Sequence, residues 1–238
     1  SPEPGTYRRG PAAVAWPTVT FLTASEFWRD GAGLWARSRE MLRFLCGRTS
    51  VRVVMVNPLD AAPPLAALRA IGEFAFHAPL LRMHDSRDSV MRWLREVLAR
   101  APTAVCWVDK TELAELLPLC PPGARLVVDT HDLLSQRWQS HDRHAVGGVP
   151  RVSEEKERAV LGRFDRVICI QAEDHALASR WLGAGRVLLA PHALAVRAHA
   201  RREVARSVGF VASRWVANQE GIRWFLAEVW PRVARPPR

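Results

Sequence analysis

The sequence predicts an α/β fold, a doubly wound parallel sheet of the Rossmann-like kind, and three observations predict it. Short apolar runs alternate with helix-length amphipathic segments along most of the 238 residues, the order produced when helices cross over both faces of a sheet. Runs such as "VICI" and "LVV" are continuously apolar, as strands buried on both sides require, rather than alternating. Glycine and proline mark several helix ends, as in "PPLAALRAIGEF" and "ASRWLG".

Taken in order, residues 1–17 are rich in Pro, Gly and Arg and lack the apolar stretch of a secretory signal, so they read as a loose lead-in. "TVTFLTAS" (18–25) reads as a strand, followed by a helix from about Gly33 to Cys46. "VRVVMVNP" (51–58) is a second strand, "PPLAALRAIGEF" a helix, and "FAFHAPLL" (74–81) a weaker strand. In "SRDSVMRWLREVLARA" (86–101), Val90, Met91, Leu94, Val97 and Leu98 form one helical stripe. "TAVCWVD" (103–109) and "ARLVVDTHD" (124–132) are strands around a short helix, "TELAELLPL". A helix capped by Ser153 spans 152–164; then "DRVICIQ" (165–171), a helix over 172–183, and "RVLLAPHA" (186–193) follow. These give one Rossmann-like domain over 18–193 and a basic, Ala-rich linker over 194–207. Residues 208–238 supply one strand ("VGFVAS", 208–213) and one helix (218–233), too little for a domain. They read as the start of an incomplete second domain.

The formal charge is +10, and only Lys110 and Lys156 are lysines. The arginines are scattered, with no basic run of five and no interleaved aromatics, which disfavours nucleic acid. A basic face meeting anionic lipid or a phosphorylated substrate fits better. No apolar stretch is long enough to span a bilayer, and the working expectation is a cytoplasmic location. The four cysteines are isolated and form no C-x-x-C pair, so neither a zinc site nor a disulfide framework is indicated.

In an open α/β sheet, ligands gather at the carboxyl ends of the strands. The residues there are the loop 25–33, Asn57, His77, Asp109 and Lys110, Asp129 to Asp132, the loop 171–174, and Pro191 with His192. Gly31, Ala32 and Gly33 precede the first helix, where backbone amides can approach a phosphate. They match neither G-x-G-x-x-G nor a Walker loop, and a plain glycine turn explains them equally. Trp28 and Trp35 flank this loop and suit stacking on a sugar face. "DTHD" places His131 between Asp129 and Asp132: a base, an acid, or a donor held by a neighbouring carboxylate. Helix capping is an equal reading of Asp132. His141 and His144 lie nearby, but no ligand spacing indicates a metal.

From about Gly123 to Val233 the chain resembles the retaining, family-4-type GT-B glycosyltransferases of bacteria that build surface polysaccharides and glycoconjugates. The matching segments are "VVDTHDL", "SEEKERAVLGRFDRVICIQAEDHALASRWL", "VLLAPHAL" and "VGFVAS…NQEGIRWFLAEVWPRV". The resemblance implies two Rossmann-like domains facing across a cleft, the first holding the acceptor and the second a UDP- or GDP-sugar, with no bound metal or other cofactor. It places Gly31 to Gly33 near the donor diphosphate or the acceptor, and Asp129, His131 and Asp132 on the acceptor side. Asp109, Lys110 and His192 are further binding candidates. A glycan or lipid-linked acceptor and peripheral contact with the inner membrane face also follow from it.

Three departures stand out. Asp109 and Lys110 occupy a place where members often carry histidine, Ala212 replaces the glycine of an "FVGS"-like loop, and the donor domain's E-x7-E motif is missing. This chain alone is therefore expected to be the acceptor-side fragment, with little or no transferase activity. The rival expectations are a non-catalytic glycan- or partner-binding module, and another nucleotide-using enzyme such as a GT-B epimerase or a Rossmann dehydrogenase. A further stretch of about 150–200 residues encoded downstream, one domain's worth, would favour the enzyme over the module; nucleotide titration separates the rest. An imidazole of His131 sealed in the interior would count against the carbohydrate reading.

Overall fold

Seven strands, all parallel, lie in one sheet in the order β3-β2-β1-β4-β5-β6-β7. They are β1 (Val19–Thr23), β2 (Val51–Met55), β3 (Ala75–His77), β4 (Val105–Asp109), β5 (Arg125–Asp129), β6 (Arg166–Cys169) and β7 (Val187–Leu189). The helices are α1 (Gly33–Cys46), α2 (Leu65–Arg69), α3 (Arg87–Ala99), α4 (Leu134–Arg143), α5 (Glu154–Leu161), α6 (Ala172–Leu182) and α7 (Val216–Trp224). A 3-10 segment, Thr111–Leu119, joins β4 to β5. The computed structural model describes residues 18–81, 86–100, 102–143, 151–193 and 208–233. The expected lead-in (1–17) and linker (194–207) lie outside those residues.

The sheet is covered on both faces, as the continuous apolar runs predicted. Alternate residues point to opposite sides, so Phe21, Val53 and Trp107 share one core with Leu42 and Leu45 of α1 and Leu68 of α2. Leu22, Val54, Val108, Val128 and Val167 share the other with Val90, Leu94, Val97 and Leu98 of α3, Leu161 of α5 and Ala178 of α6. Helices on opposite faces for the two halves of the sheet define a doubly wound Rossmann-like fold. The chain reverses its winding between β1 and β4, which are adjacent in the sheet.

Capping fits the sequence in part. Ser86 and Ser89 form a reciprocal capping box at α3, and Ser153 accepts from the Lys156 amide at α5. One expectation fails: "VGFVAS" forms no strand. A strand needs a neighbour to take its backbone bonds, and here Phe210 and Val211 stand 57% and 99% exposed. The helix after it begins at Val216, earlier than 218, and widens into a π-turn over Phe225–Val229 before Pro231.

Candidate functional site

The carboxyl ends of β1, β4 and β5 meet α1 at the switch point. Register pairs Asp109 with Asp129 across β4 and β5, which sets two buried carboxylates side by side. Each is answered by a different group. Asp109 Oδ1 meets His131 Nε2 at 2.8 Å, and its Oδ2 accepts from Thr23 Oγ1 at 2.5 Å and Ser38 Oγ at 2.7 Å. Asp129 takes a two-pronged ion pair from Arg37, Nε to Oδ2 at 2.9 Å and Nη2 to Oδ1 at 3.3 Å. The third guanidinium nitrogen donates to the Pro191 carbonyl at 3.0 Å. Arg37 and Ser38 thus tie α1 to β4, β5 and the end of β7.

These environments push the two aspartates in opposite directions. Burial alone raises Asp109, but the hydrogen bond and charge of His131, with the Thr23 and Ser38 hydroxyls, hold it below the ordinary carboxylate range. Burial raises Asp129, and the Arg37 charge and the other groups do not cancel that rise. Neighbouring acids driven apart in this way characterise sites that handle protons.

The backbone is constrained at the same edge. Among the described residues, Lys110 and His131 are the non-glycine residues with positive φ, at 97° and 60°. They follow the two strand ends that carry the aspartates. The Asp132 amide bonds back to the Thr130 carbonyl at 2.7 Å, which closes a γ-turn centred on His131. The Lys110 amide donates to the Asp129 carbonyl at 2.9 Å. Such conformations cost about 1–3 kcal/mol each and persist where the surroundings over-determine them.

His131 keeps only 7% of its surface exposed, and its carboxylate partner is Asp109 rather than the flanking Asp129 or Asp132. Asp132 stays outside this network and faces Arg137 Nη1 at 3.6 Å. It does not cap α4 either. Glu157 does: it accepts from the Leu134 and Ser135 amides at 2.6 and 2.9 Å and from Ser135 Oγ at 2.6 Å, while Asp174 takes the Leu133 amide at 3.1 Å. The flanking position of Asp132 misled, because the capping carboxylate comes from α5.

Gly31, with φ of +101°, needs to be glycine, whereas a Cβ at Gly33 would meet nothing. Ala32 is the N-cap of α1 and offers no side chain to the first-turn amides. Trp28 stands edge-on to Phe27 and Phe76 and lines a cavity of about 460 Å³ with Arg29, Pro58 and Asp60. Trp35 lies half-buried in the first turn of α1. Lys110 is half-buried and His192 is exposed after β7. Partial desolvation, then the charges of Arg37 and His131, lower the His192 pKa. A second carboxyl-edge cavity, about 360 Å³, is lined by Asn57, Arg87, Met91 and Glu115, and a third, about 530 Å³, opens at the opposite edge beside Cys120.

Among the described residues no three His, Cys, Asp or Glu side chains are grouped to hold a metal ion; His144 lies outside them. No described helix is long and apolar enough to cross a membrane. Sequence reasoning missed Arg37, Ser38 and Thr23. Ser38, Leu42 and Leu45 form the i, i+4, i+7 inward stripe of α1, so polar residues at its upper end were a readable signal.

No family model matches the chain, and no curated protein matches it. Among solved structures it is similar to Anabaena Alr3699/HepE, whose crystal structure is in complex with UDP and glucose. That likeness has 12% identity and a TM-score of 0.44 over 74% of this chain and 44% of the other. It is similar also to an alpha/beta-galactoside alpha-2,3-sialyltransferase from a luminous marine bacterium, Photobacterium phosphoreum. There the identity is 8% and the TM-score 0.39, over 73% of this chain and 52% of the other. The chain spans about half the length of the solved structures it matches.

Proposed function

We propose that the chain is the acceptor-side part of a retaining glycosyltransferase of GT-B architecture. On this reading, a sugar passes from a UDP- or GDP-sugar to a glycan or lipid-linked acceptor. The setting is synthesis of bacterial surface polysaccharide or glycoconjugate, cytoplasmic, with peripheral contact at the inner membrane face. The observation that carries the proposal is the gathering of His131, Asp109, Asp129 and Arg37 at the carboxyl edge beside the switch point. A doubly wound sheet binds its ligands there. The family-like segments support it by their placement: "VVDTHDL" ends β5, "SEEKERAVLGRFDRVICIQAEDHALASRWL" is α5-β6-α6, and "VLLAPHAL" carries β7.

The roles follow the geometry. His131 is the group that meets a substrate hydroxyl, Arg37 fixes Asp129 and the backbone before His192, and the first-turn amides of α1 face the leaving diphosphate. Lys110 and His192 border the acceptor. The 208–233 segment opens the donor lobe.

The test compares the 238-residue chain with a longer chain that includes the following coding sequence. The short chain is expected to bind acceptor without transferring sugar. The long one releases UDP or GDP and retains the anomeric configuration by NMR, and His131→Ala lowers its rate about a hundredfold or more. Transfer by the short chain alone would overturn the fragment reading, and a long chain inert with every nucleotide sugar would overturn the enzyme. The small exposure of His131 favours a second reading, a glycan-binding module without chemistry. It predicts acceptor binding unchanged by His131→Ala and no transfer by either chain.

A further inference from the structure

The polar contacts around Asp109 have a fixed direction. The Ser25 amide donates to Thr23 Oγ1 at 2.9 Å, which uses that oxygen as an acceptor and leaves its hydrogen for Asp109 Oδ2. Ser38 Oγ, 2.7 Å from the same oxygen, also donates, because an ionised carboxylate can only accept. Oδ2 therefore holds two hydroxyl donors, and Oδ1 is left for His131 Nε2 at 2.8 Å. That nitrogen must carry a hydrogen. In the neutral imidazole the other nitrogen, Nδ1, is then bare.

We infer that Asp109 is a positioning residue that locks His131 in the Nε2–H tautomer and so presents an unprotonated Nδ1, a hydrogen-bond acceptor, to a substrate hydroxyl. Asp109 itself is 1% exposed and reaches no ligand directly. The left-handed backbone of His131, held by the γ-turn and by the Thr130 amide on the Ile168 carbonyl, removes the remaining freedom of the ring's attachment. The tautomer lock stands on these contacts alone; the hydroxyl as its target rests on the transferase reading.

The lock makes a directional prediction for Asp109→Asn. The two hydroxyl donors select the amide oxygen, which turns the amide NH2 toward Nε2. A neutral His131 must then accept at Nε2 and carry its hydrogen on Nδ1. The substitution is nearly isosteric and yet inverts the imidazole, which a merely structural role for Asp109 does not predict.

Nitrogen-15 NMR of histidine-labelled protein in alkaline solution, where imidazoles are neutral, reads the tautomer without any assay. The parent is expected to show Nε2–H at His131, and Asp109→Asn to show Nδ1–H. Thr23→Val alone keeps Nε2–H, since the carboxylate still accepts. Adding Thr23→Val and Ser38→Ala to Asp109→Asn frees the amide to turn its oxygen to the ring and restores Nε2–H. In the longer chain, Asp109→Asn lowers transfer about a thousandfold or more. A parent with Nδ1–H, or Asp109→Asn with Nε2–H, overturns the lock. Should Asp109→Asn fail to fold, the parent and Thr23→Val spectra still decide. The expected tautomers with no transfer by any form leave the lock intact and overturn only the transferase reading.

Discussion

Asp109 is buried beside another carboxylate, and its ionised form survives because three donors face it. Its pKa in the folded protein is depressed, against about 3.9 in an unfolded chain. A depressed acid contributes stability that is fully present above the unfolded value and is lost as pH falls through the folded one. The difference in unfolding free energy between the parent and Asp109→Asn should therefore be greatest near neutral pH and shrink below about pH 4. Urea unfolding at a series of pH values measures it; a difference that grows on acidification would contradict the carboxylate as its cause. At this scale the sequence was legible by position but not by partnership. His131 and Asp129 stood out because they follow an apolar strand. That His131 pairs with Asp109, 22 residues away, depends on the β4-β5 register. Arg37 looked like one of many scattered arginines, and only its place on the inward stripe of α1 separates it from them.

At the level of elements, the turn after β5 is held by a helix end that is capped from elsewhere. Glu157, on α5, takes both the Leu134 and Ser135 amides of α4 and the Ser135 hydroxyl while itself 1% exposed. Glu157→Ala leaves buried donors unanswered and should cost about 3 kcal/mol. Amide exchange at Leu134 and Ser135 should speed more than at β1, and uniform speeding would argue against a local role. The glycine loop divides in the same physical terms. Gly31→Ala meets strain at φ of +101° and should cost about 1–2 kcal/mol, whereas Gly33→Ala has open space and should be neutral or slightly stabilising. If the first-turn amides of α1 face a diphosphate, Gly33→Ala in the longer chain still weakens binding of the nucleotide sugar. Unchanged binding would assign the glycines to the turn alone. Every strand and helix of the sheet domain was legible from apolar runs and caps, because parallel strands buried on both faces need continuous hydrophobicity. The cap of α4 was not, since nothing local encodes a carboxylate arriving from another helix.

The whole molecule is one sheet domain with a short appendage. Residues 208–233 contribute no strand, and α7 with the π-turn after it buries no residue. Its described ring contact with the domain is Trp215 against His141, with centroids 6.0 Å apart. Phe210, Val211, Trp224 and Leu226 are all more than half exposed. Apolar side chains left in water add almost nothing to the folding free energy of the sheet, because stabilisation scales with area removed from solvent. A chain ending at Ala193 should therefore unfold cooperatively, with a Tm within about 3 °C of the full chain, and should aggregate less, having shed an exposed apolar patch. The sequence foresaw a helix here and an extra strand that did not form; a strand's existence depends on a neighbour, which its own residues cannot supply. Calorimetry of the two chains tests the claim. A large fall in Tm, or a broadened transition, would mean that 208–233 packs on the domain and completes its core. An unchanged Tm with improved solubility is what the opening of a separate lobe requires, since such a piece finds its burial against the lobe it begins.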